Sequence, residues 1–154
     1  MINDIIWRAI KRAKISTYKE PTKLMQNGKL PGGATLIPWS RGKALAWDVT
    51  IPDTYAASTA LEAGRAVIHA AEMKSTKYRE LDATHIFVPI AIETAGTWDK
   101  QATELLEEIG RRCILEKEDP KETIYLYQRI AIAIQRGNAL SFTHTFDIDA
   151  DINT

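Results

Sequence analysis

The residue in this chain most able to do chemistry is an aspartate standing where a core residue belongs. The stretch Ala44-Leu45-Ala46-Trp47-Asp48-Val49-Thr50-Ile51 is mostly apolar and reads as a strand. A carboxylate inside such a strand is expensive to bury unless it is paired, hydrated or bound to a metal ion. The plainer alternative is a strand-end acid that caps backbone N–H groups of the next helix.

Other chemistries find less support. Gly28-Lys29-Leu30-Pro31-Gly32-Gly33 lacks the spacing and the Lys-Ser/Thr ending of a phosphate-binding loop. No serine stands in a nucleophile elbow, and His69, His85 and His144 are not at ligand spacing, so they read as structural or surface residues. Cys113 sits among Ile109, Ile114 and Leu115 and reads as core. As the single cysteine it excludes an internal disulfide and a Cys-based zinc site, and it suits a reducing, intracellular setting, nuclear or cytoplasmic. The aspartates alternating from Asp147 lack the glycine and the closing glutamate of a calcium loop. What remains is acids, lysines and a hairpin.

The formal net charge of zero conceals a polarity. Residues 1–47 carry nine basic and two acidic side chains (+7), and the remainder carries eleven basic and eighteen acidic ones (−7). One face suited to a polyanion is the functional reading, and a solvated basic helix is the ordinary one. A hydrophobic share of 45% and a charged share of 26% exclude a disordered chain. No apolar run approaches the roughly 18–20 residues that span a bilayer.

Several elements must position these residues. Ile2, Ile5, Ile6, Ala9, Ile10 and Ala13 recur at helical spacing, so residues 2–14 read as an amphipathic helix. Residues 16–24 contain Pro21 and predict an edge strand or an extended segment. A hairpin follows, with strands at 34–37 and 43–51 and a turn over 38–42. The Ala-rich run from Tyr55 to Tyr78 predicts a long helix. Residues 85–93 predict a buried strand with Pro89 at a bulge or bend, and 98–117 and 121–136 predict two further helices. Glu93 reads as the end of its strand and lies outside the candidate site. The expected fold class is α/β, a central mixed sheet flanked by helices. One domain over residues 1–146 is expected, with an acidic, flexible tail at 147–154.

A family resemblance rests on residues spread along nearly the whole chain. They are Glu20-Pro21, then Pro31-Gly32-Gly33 leading into Leu36-Ile37-Pro38-Trp39, then Gly42-Lys43, Trp47-Asp48-Val49-Thr50, Lys74 and Lys77-Tyr78. Ile86-Phe87-Val88-Pro89, Glu93-Thr94, Gly96, Gln128-Arg129 and the run Gln135-Arg136-Gly137-Asn138-Ala139 continue the series. Over residues 2–143 the chain resembles the restriction-like, PD-(D/E)xK endonuclease domains of invertebrate retroelement reverse-transcriptase polyproteins. Each motif is short, and their order and spacing together carry the resemblance.

The resemblance implies an αβββαβ core plus two C-terminal helices, and a DNA endonuclease that hydrolyses phosphodiesters with Mg²⁺ or Mn²⁺. It assigns Asp48 and Glu20 as metal-binding acids and Lys77 as the catalytic lysine, supplied by the following helix because Thr50 stands where the motif has lysine. Lys11, Arg12, Lys14, Lys19, Arg41, Lys43 and Lys74 are the expected DNA-binding cations. The chain departs from the pattern at Gly32, where the family's Pro-Asp acid belongs, and Asp53 or Glu62 are the acids able to replace it. A carboxylate restored at position 32 is expected to face the same metal as Asp48. Two readings of function stand beside each other: an endonuclease impaired at Gly32, and an inactive nuclease-fold module that binds nucleic acid or a protein partner. An interaction module using the acidic C-terminal helices, or a homo-oligomer, is compatible with the same sequence.

Overall fold

The computed structural model describes residues 1–22, 24–53 and 64–152, with side chains up to residue 137. Helix α1 (Ile2–Arg12) is followed by β1 (Thr17–Lys19), β2 (Gly33–Ser40) and β3 (Lys43–Thr50). Helix α2 (Arg65–Lys77) leads through a 3₁₀ turn (Arg79–Ala83) into β4 (His85–Ala91). Helices α3 (Lys100–Lys117) and α4 (Glu122–Ile152) complete the order. The strands form one four-stranded sheet in the order β1-β2-β3-β4. The first three strands are antiparallel, and β4 runs parallel to β3. This is the mixed α/β class expected from the sequence.

Side-chain alternation along β3 divides the molecule into layers. Leu45 and Trp47 face one way and join Ile6 and Ile10 of α1, Leu106 and Ile109 of α3, and Leu126 and Ile130 of α4 in the main core. Ala46 faces the other way and packs with Ala34, Tyr78 and Leu81. Helices α1, α3 and α4 therefore cover one face, and α2 with the 3₁₀ turn covers the other. Each fully buried Ile or Leu contributes roughly 1.5–3 kcal/mol by leaving water. The apolar stripe of α1 (Ile2, Ile6, Ala9, Ile10, all buried) shows why the N-terminal segment folds against this face.

Local details refine the sequence reading. The hairpin turn is Arg41-Gly42 alone, with φ of 52° and 72°. A two-residue turn with positive φ at both positions matches the strand twist, so β2 extends to Ser40, past the expected end at Ile37. Pro38 lies within β2 at an irregularity of register, consistent with its missing N–H. Pro89 is not at a bulge, because the β3–β4 register is continuous from Ala44–His85 to Thr50–Ala91. Ile92 N donates to Thr50 O, so the odd-numbered residues of β4 turn their backbone groups to the open edge. Pro89 is one of them, and its lack of a donor harms nothing there while discouraging edge pairing. Helix α4 continues past residue 136 and, as backbone, takes in residues 147–152 of the expected tail. The expected start of the long helix at Tyr55 lies outside the described residues, within which α2 begins after Gly64. Among the described residues no helix is long and apolar enough to cross a membrane.

Candidate functional site

Asp48 is positioned by β3, beside Pro89 of β4. It follows Trp47 and so faces α2, the layer opposite the main core. Lys74 reaches it from α2, with Nζ 2.9 Å from Asp48 Oδ2. Both side chains are largely buried, 14% and 23% exposed, so the pair is shielded more than a surface ion pair. A strand acid in an apolar run is thus satisfied by a cation from the crossover helix, as its desolvation cost demands.

Tyr78 follows one helical turn after Lys74 and closes the cluster. Its ring packs on Phe87, and its hydroxyl donates to Leu30 O at 2.9 Å. Burial, then the negative charge of Asp48 and a hydrogen bond to it, push the phenol up to about 12. The hydroxyl is therefore a proton donor at every ordinary pH.

Glu20 follows β1, the edge strand two places from β3. Lys19, Gly33 and Trp47 are paired across β1, β2 and β3. One residue further along, Glu20 N donates to Gly32 O at 3.0 Å. Glu20 is exposed, with φ of 49°. Glu20 thus follows β1 and Gly32 precedes β2, whereas Asp48 lies within β3.

Gly32 is held by an interaction the sequence did not reveal. Asn3 of α1 donates to Gly32 O at 2.9 Å and accepts from Trp47 Nε1 at 2.8 Å. A Cβ at position 32 would stand 2.6 Å from Asn3 Oδ1 and 3.3 Å from Trp47 O. The expectation that a carboxylate at 32 would face Asp48 is therefore not met, because its Cβ points towards α1 and Asp48 faces α2. Gly33 is equally constrained, since a Cβ there would meet the Trp47 ring.

Lys77, assigned as the catalytic lysine, is exposed and lies over the Tyr78 ring, 5.2 Å from its centroid. The lysine brought to Asp48 is Lys74, previously assigned to DNA. Helical rotation explains the exchange: Lys74 and Tyr78 are four residues apart and share a face, whereas Lys77 is turned about 100° from Tyr78. That i, i+4 spacing was the available signal. Of the possible replacement acids, Asp53 accepts from the Thr94 hydroxyl at 3.5 Å beyond the end of β3, and Glu62 lies outside the described residues. Among the described residues no group of three or more His, Cys, Asp or Glu is arranged to hold a metal ion.

The remaining expected DNA-binding cations are distributed. Arg12 makes a two-point pair with Glu122, with Nε at 2.9 Å and Nη2 at 2.7 Å from its carboxylate oxygens. Lys19 pairs with Asp4, Lys43 donates to Asp82 O at 2.8 Å, and Lys11 lies 4.3 Å over the Trp7 ring. Lys14 and Arg41 are exposed, each at positive φ. The +7 of residues 1–47 is thus partly consumed by internal contacts. Glu93 is buried beneath the start of α2, where it accepts from Val67 N at 3.4 Å. Cys113 donates to Ala9 O at 3.2 Å, and burial pushes its thiol up, so it stays protonated. Burial lowers His85, whose ring lies 2.7 Å from the Thr84 hydroxyl. Trp47 is fully buried, and Trp39 carries the Arg112 guanidinium 3.6 Å above its ring, so both tryptophans pack within the protein.

Comparison with known proteins adds no relative: no family model matches the chain, and no curated protein matches it.

Proposed function

We propose that this chain is a metal-dependent DNA endonuclease domain of the restriction-like, PD-(D/E)xK kind, derived from a retroelement. The observation that carries the reading is the Asp48–Lys74 pair at 2.9 Å, in the sheet whose first strand leads into Glu20. Phosphodiester hydrolysis needs carboxylates for a divalent ion and a cation near the reacting phosphate. β3 and α2 supply both residue types on adjacent elements. Target-site cleavage for reverse transcription is the role that the resemblance implies.

Asp48 with Glu20 suits Mg²⁺ or Mn²⁺, since Mg²⁺ is commonly held by one or two carboxylates, with waters and phosphate oxygens completing its shell. The strands β1 and β3 that lead to these acids are two strand spacings apart, about 10 Å. An ion held by these carboxylates would supply an activated water and charge neutralisation at the phosphate. The protein's own groups do the rest. Lys74 pairs with Asp48 and offers its remaining N–H groups to a phosphate oxygen or to water. Tyr78, always protonated, buttresses Asp48 and anchors the Leu30 carbonyl next to the Pro31-Gly32 turn.

A second reading is a nuclease-fold module that binds nucleic acid without cutting it. It is favoured by Gly32, whose side-chain space is filled by Asn3. Titration with Mn²⁺, read by paramagnetic broadening, separates the readings without relying on activity. Broadening centred on Glu20, Asp48 and Lys74, lost in Asp48→Asn, supports the endonuclease. Broadening elsewhere, or none, removes the metal site and leaves the binding module.

A further inference from the structure

We propose that the cleft between α1 and α4 is a binding site for a phosphate group, held by Arg8, Arg12 and Arg129. These three side chains and Ile5 line an opening of about 300 Å³. The inference goes beyond the endonuclease reading, because α1 and α4 lie on the sheet face away from Asp48 and Lys74.

The sequence dictates the convergence. Ile5, Arg8 and Arg12 fall at i, i+3 and i+7 on α1, so they form one stripe. Glu122 and Arg129 stand at i and i+7 on α4 and form the facing stripe. Leu126 and Ile130 bury the neighbouring side of α4, and Ile2, Ile6 and Ile10 bury that of α1. The apolar contacts therefore fix the two helices, and the arginines are brought together at the rim of the core.

Charge within the cleft is left unbalanced. Glu122, 3% exposed, is occupied by the two-point pair with Arg12. That pair aligns the Arg12 fork while neutralising it. Arg8 and Arg129 are exposed, and among the described residues neither makes an ion pair. Asp119 bears on Arg12, Lys117 and Arg129 bear on Glu122, and Arg8 bears on Asp4. Two guanidinium groups without an ion pair beside a third, fixed one leave three cations and one closely paired carboxylate at the opening. Guanidinium forks match tetrahedral oxyanions by paired N–H···O bonds, which makes phosphate the fitting chemistry. Ile5 supplies an apolar wall for whatever the phosphate is attached to.

The test uses the full chain, following arginine Nε–H resonances and calorimetric heats during titration with inorganic phosphate and then with a short single-stranded DNA. Saturable shifts at Arg8, Arg12 and Arg129 are expected. Arg8→Gln and Arg129→Gln should each weaken binding by about tenfold, the effect of removing one charge-assisted hydrogen bond. Tighter binding of DNA than of phosphate assigns the site to a nucleic-acid backbone, and the reverse order assigns it to a small phosphate compound. Resonances that stay in place, or variants that melt like the parent and bind equally well, overturn the proposal. Should a variant melt early, the parent titration decides alone. Mn²⁺ broadening near Asp48 in the same samples succeeds or fails separately, so the two sites are judged apart.

Discussion

Lys74 Nζ lies 2.9 Å from Asp48 Oδ2, joining the acid of β3 to the helix that carries the chain from β3 to β4. The crossover is thereby tied to its own strand at a point where an unpaired carboxylate would be costly. Lys74→Met should lower stability by about 1–2 kcal/mol, between the values typical of exposed and buried pairs. Asp48→Asn in the same background should recover part of the loss, and urea melts of the double-mutant cycle measure that coupling. Additive losses would show that the pair contributes nothing together.

Asn3 links Trp47 and Gly32, so two substitutions there should depend on each other. Asn3→Ala leaves the Trp47 indole N–H without its partner and should cost about 1–3 kcal/mol. Gly32→Asp should also destabilise, since its Cβ meets Asn3 Oδ1 at 2.6 Å. In the Asn3→Ala background that second cost should shrink. Thermal melting of the four proteins checks this, and an unchanged cost would contradict the geometry.

Tyr78 gives an alkaline signature. Its phenol is raised to about 12, against 10.0 in an unfolded chain, first by burial and then by Asp48. The folded state therefore holds the proton more tightly. The resulting stability is fully present below pH 10 and is lost as pH rises from 10 towards 12. Tyr78→Phe should remove that part of the pH dependence, as read by the midpoint of denaturant unfolding between pH 9 and 12. Tyrosinate absorbance from the folded parent appearing near pH 10 at this residue would contradict it.

Glu108 gives the acid counterpart. Its hydrogen bond to Arg111 is the largest influence, with Arg112 adding to it against partial burial, and the carboxyl falls to about 2 from 4.5. A depressed carboxyl contributes stability above pH 4.5 that is lost as pH falls towards 2. Glu108→Gln should flatten the acid limb of the stability curve in that window, in unfolding measured by circular dichroism. Because the Arg111 side is exposed, the effect should weaken with added salt.

The elements were legible because their signals are local. The stripe of α1 and the β3 run fall within windows of a few residues, and the structure follows the expected order α, β, β, β, α, β, α, α. Asp48 was legible for the same reason, as a charge amid apolar neighbours. Its partner was not, because choosing Lys74 over Lys77 depends on the rotation of α2 about its axis. Asn3 was hidden further, since its meaning arises only when α1 docks on Trp47 and Gly32, contacts 44 and 29 residues apart. The two-residue turn at Arg41-Gly42 escaped because Arg41 is an uncommon choice for positive φ.

Cleavage itself is the most direct measurement. Supercoiled plasmid is incubated with the parent protein and with Asp48→Asn, in Mg²⁺ or Mn²⁺, with and without chelator. The expected result is chelator-sensitive nicking by the parent that falls by about a hundredfold or more in Asp48→Asn, since the metal effect is worth several kcal/mol of the barrier. Absence of metal-dependent nicking, or equal nicking by the two proteins, would contradict the assignment of Asp48 to phosphodiester hydrolysis.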